Sequence, residues 1–410
     1  MTESTADLPL DPTALNRKLV LGLIRTRGPI SRGDITAAIP VSATTVKRTV
    51  EELILSGIVK ELPDDGAGSR PGRRTALLAI DGRYADAIGF AVTPDRLEMV
   101  VVNLAGELRN RETIEGLEMS PREVTGKIAS EVAQWRARDD ESGRHGLLGV
   151  GIGVAGLVDA ARGLVHFCPN LRGWEAVDLG AMVRGKVDRE VVIDEEVRCM
   201  ALGETRSGAS RGEATSLFVY VGRGVGAGIV IDGRLYRGKN GIAGEFGHVT
   251  VKPDGPLCKC GNRGCLEAVA SVDGILAAAN EMVAANVHTL LRLDSTNTGG
   301  LTLEEISAAL AGGDKVAAMI VDEAGGHIGT GLADLINIFD PGLVVLGGEV
   351  VEAFGDFLVE GIKRSVALRG IPAITGKTRI ETAQLRGGAA IGAAMLLLER
   401  FFGSEILNFV

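Results

Sequence analysis

The stretch GEFGHVTVKPDGPLCKCGNRGCLE, Gly244 to Glu267, gathers one of only five histidines and three of only five cysteines in a chain of 410 residues. The four fall within 18 positions as His248-x9-Cys258-x-Cys260-x4-Cys265, with Glu245 and Glu267 at the ends. Thiolates and imidazole are preferred zinc ligands, and a closed set of four is the structural arrangement. Gly255, Gly261 and Gly264 let a short loop fold back so that the ligands converge. The spacing therefore predicts one structural Zn2+ per chain, held by His248, Cys258, Cys260 and Cys265. The competing reading is three buried cysteines and an unrelated histidine. Such a metal would pin Glu245 and Glu267 in place, as acceptors for the hydroxyls of a ligand or simply as surface glutamates.

Outside this loop the composition is that of a glycine-rich α/β protein. There are 57 glycines, hydrophobic residues make up 45% and aromatic residues 4%. The length suggests two or three domains. With five cysteines there is no disulfide framework, and no apolar run is long enough to span a bilayer, so the expected compartment is the cytoplasm, without membrane contact. Net charge is −9, unevenly spread: residues 1–80 hold 11 basic and 9 acidic side chains, the remainder 33 and 44. Bulk charge thus argues against nucleic-acid binding by the body, while a small basic N-terminal module remains able to bind it.

That module occupies residues 1–80. Leu15, Leu19, Leu21, Leu23 and Ile24 suit a first helix ended by Gly28-Pro29. Ser31 caps a second helix running through Ile39, and Ser42 caps a third with Val46, Val50, Leu53 and Ile54 on one face. GIVKEL and RRTALLAI then read as two strands joined by PDDGAGSRPG. Three helices and a β-hairpin with a basic tip make a winged helix-turn-helix. The third helix would offer Ser42, Thr44, Thr45, Lys47 and Arg48 to the major groove of double-stranded operator DNA, with Arg70, Arg73 and Arg74 of the wing on the backbone or minor groove. The alternative is a small helical domain for protein contacts.

From about Tyr84, hairpins, glycine turns and helices recur in two halves, 81–215 and 216–410, the second containing the 244–267 loop. This is the pattern of a two-lobed α/β body with a ligand site between the lobes. The cluster, with GRLYRGKNGIAGEFGH before it and CLEAVAS after it, resembles the signature of the ROK family. That family holds sugar kinases and sugar-responsive repressors on one actin-like, ribonuclease-H-like scaffold. The winged helix matches the repressor branch, and GSRPG resembles its GGRP. The resemblance implies that His248 ligates zinc through one ring nitrogen and turns the other toward a sugar hydroxyl, which Glu245 and Glu267 also contact. CPNLRGW resembles the PNL segment and makes Asn170 a sugar neighbour. GVAGLVD resembles the loop on the pocket rim, with Ala155 in place of proline.

The kinase branch requires a phosphate loop, DxGGT, and an acid as catalytic base. In IGFAVTPDRL, Ala91 stands where the aspartate belongs and Thr93-Pro94 where the paired glycines belong; proline lacks the N–H that a phosphate cradle uses. Counting back from ALGE at 201–204, the family's Asn-Asp pair falls on Glu195-Glu196. Glu196 ranks first as the pocket acid, with Glu195 and Asp194 as alternatives. GRGVGAGI carries Arg223 where the second phosphate turn has threonine, and VVLGGEV keeps the pair Gly347-Gly348. The expectation is a sugar-responsive DNA-binding regulator, most simply a repressor, without kinase activity, taking a small neutral sugar as effector and assembling as a homodimer or homotetramer. Its rivals are an ATP-dependent sugar kinase and a repressor controlled by another protein.

Overall fold

The computed structural model describes residues 12–62, 76–142, 146–292 and 300–406. At the N-terminus, helices Pro12–Arg27, Arg32–Ala38 and Ala43–Leu55 pack on a three-stranded antiparallel sheet in which Leu77–Ile80 lies between Ile30–Ser31 and Val59–Leu62. The two predicted caps form. Ser31 Oγ accepts from the Asp34 N–H and Ser42 Oγ from the Thr45 N–H, each at 3.1 Å, satisfying donors that a helix start leaves free. The second helix stops at Ala38, with Ile39 as its extended C-cap, one residue short of the expectation. On the third helix Val46, Thr49, Val50 and Leu53 are buried, and Ile54 lies at the edge of the core. The i, i+3, i+4, i+7 spacing puts Thr49 at the centre of the buried stripe, where its hydroxyl had disguised it. The wing arginines Arg70, Arg73 and Arg74 lie outside the described residues.

The body holds two five-stranded sheets of like design. In the first, the hairpin Asp86–Val92 and Leu97–Asn103 is flanked by Leu108–Ile114 on one side and by the parallel strands Leu147–Val154 and Glu190–Glu195 on the other. In the second, the hairpin Ser216–Val221 and Val225–Ile231 is flanked by Arg234–Leu235 and by the parallel strands Leu343–Gly347 and Arg379–Thr382. Both strands of the first hairpin are buried along their whole length, as a sheet covered on both faces requires.

One cover is the last helix, Gly388–Ile406. By sequence order it falls with residues 216–410, yet it packs on the first sheet and on helix Glu196–Ser207. Close approach explains the position. A Cβ at Gly151 would sit 1.9 Å from the Ala393 carbonyl oxygen, and one at Gly392 would sit 1.7 Å from that of Cys199. Only glycine lets these backbones meet. The same helix carries Ala390, Ala394 and Phe402 into one apolar cluster with Val20, Leu21 and Ile24, so the N-terminal domain shares its core with the body. No described helix is long and apolar enough to cross a membrane.

Candidate functional site

The Gly244–Glu267 loop leaves the second sheet and folds back on itself. A short 3-10 turn, Phe246–His248, is anchored by buried Phe246, and bridges Thr250 to Cys265 and Leu257 to Arg263 close the loop. At Gly264, φ is +66°, and a Cβ would lie 1.6 Å from the Lys252 carbonyl oxygen, so the chain reverses there only with glycine. The donor atoms of His248, Cys258, Cys260 and Cys265 all lie within 4.8 Å of one another. Cys258 Sγ is 3.7 Å from His248 Nδ1, and Cys260 Sγ is 3.7 Å from Cys265 Sγ. Cys258 and Cys265 are buried and Cys260 is exposed. This cluster could hold a metal ion.

With Nδ1 facing the Cys258 thiol, the other ring nitrogen of His248, Nε2, lies 3.9 Å from Glu245 Oε2. Burial pushes the Glu245 carboxyl above its ordinary range, with His248 and Arg198 opposing and Glu267 adding to the shift. Glu267 lies in the first turn of the helix Leu266–Ala270, and its Oε2 accepts from the Val225 N–H at 3.1 Å. The fold thus brings Glu245, His248 and Glu267 close to one another, beside the glycine turn at 222–226.

The three acids lie where strand Glu190–Glu195 runs into helix Glu196–Ser207, and the structure separates their roles. Asp194 is 1% exposed. It accepts from Arg198 Nε at 2.7 Å and from Arg237 Nε at 2.8 Å. Glu195, expected in the pocket, turns back as the N-cap of helix Glu196–Ser207: its two oxygens accept from the N–H groups of Val197 (2.7 Å) and Arg198 (2.9 Å). A glutamate at a helix start satisfies orphan donors just as asparagine does, which accounts for its place in this motif. Glu196 alone has no side-chain hydrogen bond among the described residues. Burial first, then Glu195, Glu349 and Glu98, push its carboxyl up to about 8, against the pull of Arg96. Asn170 is exposed, two residues from buried Cys168, whose thiol also feels the charge of Glu196.

Sequence reasoning missed Arg198 and Arg237. The i, i+4 spacing of Asp194 and Arg198 was the available signal; nothing local marked Arg237. It also missed the plug beside the second phosphate turn. Tyr220 Oη donates to Glu349 Oε2 at 2.6 Å, and a Cβ at Gly222 would lie 1.9 Å from that oxygen. The turn at 93–96, where the kinases' phosphate loop would fall, closes on itself: the Thr93 N–H and Oγ1 both donate to the Arg96 carbonyl, at 3.1 and 3.0 Å.

On the N-terminal domain, Lys47 and Arg48 are largely exposed, with Glu51 and Glu52 one turn on at 3.9 and 3.8 Å. Thr44 is exposed and Thr45 half-buried. Ser42 is engaged by its cap and by Thr45 Oγ1 at 2.9 Å.

A model described as the ROK family matches residues 88–400. The chain belongs to the ROK family. The xylose repressor of Caldicellulosiruptor bescii is 32% identical over 92% of this chain and 93% of its own length. The crystal structure of a ROK family transcriptional regulator, a homologue of the Escherichia coli Mlc protein, superposes with a TM-score of 0.82 at 25% identity, covering 95% of this chain and 96% of its own. A ROK family glucokinase from Streptomyces griseus, in complex with glucose and AMPPNP, is 32% identical with a TM-score of 0.63, but covers only 76% of this chain against 99% of its own. The ROK body is therefore shared with kinases, and the regulator extends the match across nearly the whole chain.

Proposed function

We propose that this ROK protein is a DNA-binding transcriptional regulator, a repressor, that is released from its operator by a small neutral sugar. The observation that carries the reading is the joining of two parts in one core: a helix-turn-helix domain with Thr44, Lys47 and Arg48 exposed, and a two-lobed body with Glu245, His248 and Glu267 on one wall of its cleft. The xylose repressor covered over 93% of its length favours the same reading. Functionally the chain divides into a reader, 1–80, a first lobe, 81–215, to which the last helix is added, and a second lobe ending before that helix.

Zinc is the metal we assign to His248, Cys258, Cys260 and Cys265. A tetrahedral ion with Zn–S bonds of ~2.3 Å has ligand–ligand edges of ~3.8 Å, close to the 3.7 Å separations above. With four protein donors no position is left for substrate, so the ion would fix the loop and the orientation of the His248 ring. Glu245 and Glu267 would accept sugar hydroxyls, His248 Nε2 would meet a third, and Glu196, with Asn170 nearby, would close the opposite side. A carboxyl held near 8 is largely protonated at neutral pH, so Glu196 would donate a hydrogen bond as well as accept one. The sugar acts through its differential affinity for two arrangements of the lobes, and in a homodimer or homotetramer this alters the separation of paired reading helices. A cytoplasmic location follows from this role.

The similarity to a glucokinase favours a second reading, an ATP-dependent sugar kinase. Three features weigh against it: Ala91 in place of the phosphate-loop acid, the self-bonded Thr93-Pro94 turn, and the Glu349 carboxylate at Gly222, where it would repel a phosphate. Binding of a duplex selected from a random library, measured with and without xylose, glucose or N-acetylglucosamine, tests the regulator. Loss of duplex affinity with one sugar supports it, and sugar-dependent ATP consumption overturns it.

A further inference from the structure

The N-terminal domain meets the body at a shared carboxylate. Glu399 on the last helix pairs with Arg25, in the final turn of the first helix, and with Arg206 Nε at 2.8 Å. Arg25 also lies 4.3 Å over the Phe402 ring. All three charged side chains are largely buried, at 20–28% exposure, so the two guanidinium groups depend on Glu399 for their counter-charge. Without it, Arg25 and Arg206 repel each other.

Arg206 sits where the pocket is mechanically connected. It ends the helix that begins at Glu196, and that helix is locked to the last helix by the contact at Gly392. Its Nη2 donates to the Gly233 carbonyl at 3.0 Å, in the turn of a second hairpin, formed by strands Val225–Ile231 and Arg234–Leu235. The start of strand Val225–Ile231 is held by Glu267 through the Val225 N–H, and four residues past the turn Arg237 reaches Asp194 of the first sheet. A shift of the second lobe therefore moves the hairpin that Arg206 grips.

We propose that Glu399, shared by Arg25 of the reading domain and Arg206 of the body, is the joint through which carbohydrate occupancy alters DNA affinity. This rests on the regulator reading above. A pathway of contacts alone is an associational argument, so the test measures coupling. Glu399→Gln keeps the shape and removes the charge. With a duplex selected by the wild-type full chain from a random library, we expect E399Q to bind it within about threefold of wild type without sugar, and to bind sugar itself within about twofold. The sugar-induced loss of duplex affinity should shrink at least fivefold. A sugar response equal to wild type overturns the joint. If xylose, glucose and N-acetylglucosamine all leave wild-type duplex binding unchanged, the regulator reading fails instead, and calorimetric unfolding then decides the joint. E399Q should show a separate, earlier transition of the N-terminal domain, whereas a single transition at the wild-type midpoint overturns it.

Discussion

Arg237 Nη2 lies 2.7 Å from Asp194 Oδ2, and this pair ties the segment after the edge strand Arg234–Leu235 of the second sheet to the first sheet. Asp194 is almost wholly buried and also serves Arg198, itself 2% exposed. Two guanidinium groups around one carboxylate stabilise only as a set, because removing the acid strands a buried cation. Asp194→Asn should destabilise the fold by about 3–5 kcal/mol in urea unfolding. Arg237→Ala, at a side chain 36% exposed, should cost only about 1 kcal/mol and leave Asp194 paired with Arg198.

Metal removal tests the loop. Cys258→Ser and Cys260→Ser should each lower zinc content, measured by plasma emission, well below one ion per chain, and should lower the melting temperature. The ion would tie His248 to the far end of the loop, beyond what the bridges Thr250 to Cys265 and Leu257 to Arg263 supply, so sugar affinity should fall with the metal. A full complement of zinc in both variants would remove the assignment of the site.

The Glu195–Glu196 pair should contribute a fall in stability between about pH 5 and pH 8. Burial raises the carboxyl of Glu195 to about 7 and that of Glu196 to about 8, from an ordinary 4.5. In that window the folded chain holds more protons than the unfolded chain, so each rise in pH favours unfolding. Glu196→Gln cannot ionise. It should flatten this dependence and melt above wild type at pH 8.5; parallel curves for the two proteins would contradict the burial argument.

Arg48→Ala should weaken duplex binding by about 1–3 kcal/mol if the guanidinium reads a base, and zinc content should not change. Arg48 is 61% exposed and its only partner among the described residues is Glu52 at 3.8 Å, so folding loses little. Unaltered affinity would place the reading surface elsewhere.

Much of this was legible in the sequence where the chemistry is local. The caps at Ser31 and Ser42 depend on residues three positions away, and the Cys/His spacing depends on one loop. What stayed hidden depends on distant partners or on which way a side chain turns. Glu195 and Glu196 are the same residue type in adjacent positions, yet one caps a helix and the other has no side-chain hydrogen bond among the described residues, a difference set by backbone conformation at Glu195. The seat of the last helix depends on glycines more than two hundred residues upstream meeting its backbone. The shared carboxylate of Glu399 joins partners 374 and 193 residues away, which no local periodicity encodes.

The most direct measurement is the affinity of the full chain for a selected duplex, by fluorescence anisotropy, as xylose, glucose or N-acetylglucosamine is titrated in, with and without ATP. The account predicts that one sugar weakens binding at least tenfold, that ATP changes nothing, and that no phosphorylated sugar accumulates. Duplex binding indifferent to every sugar, together with ATP-dependent phosphorylation of one of them, would contradict it.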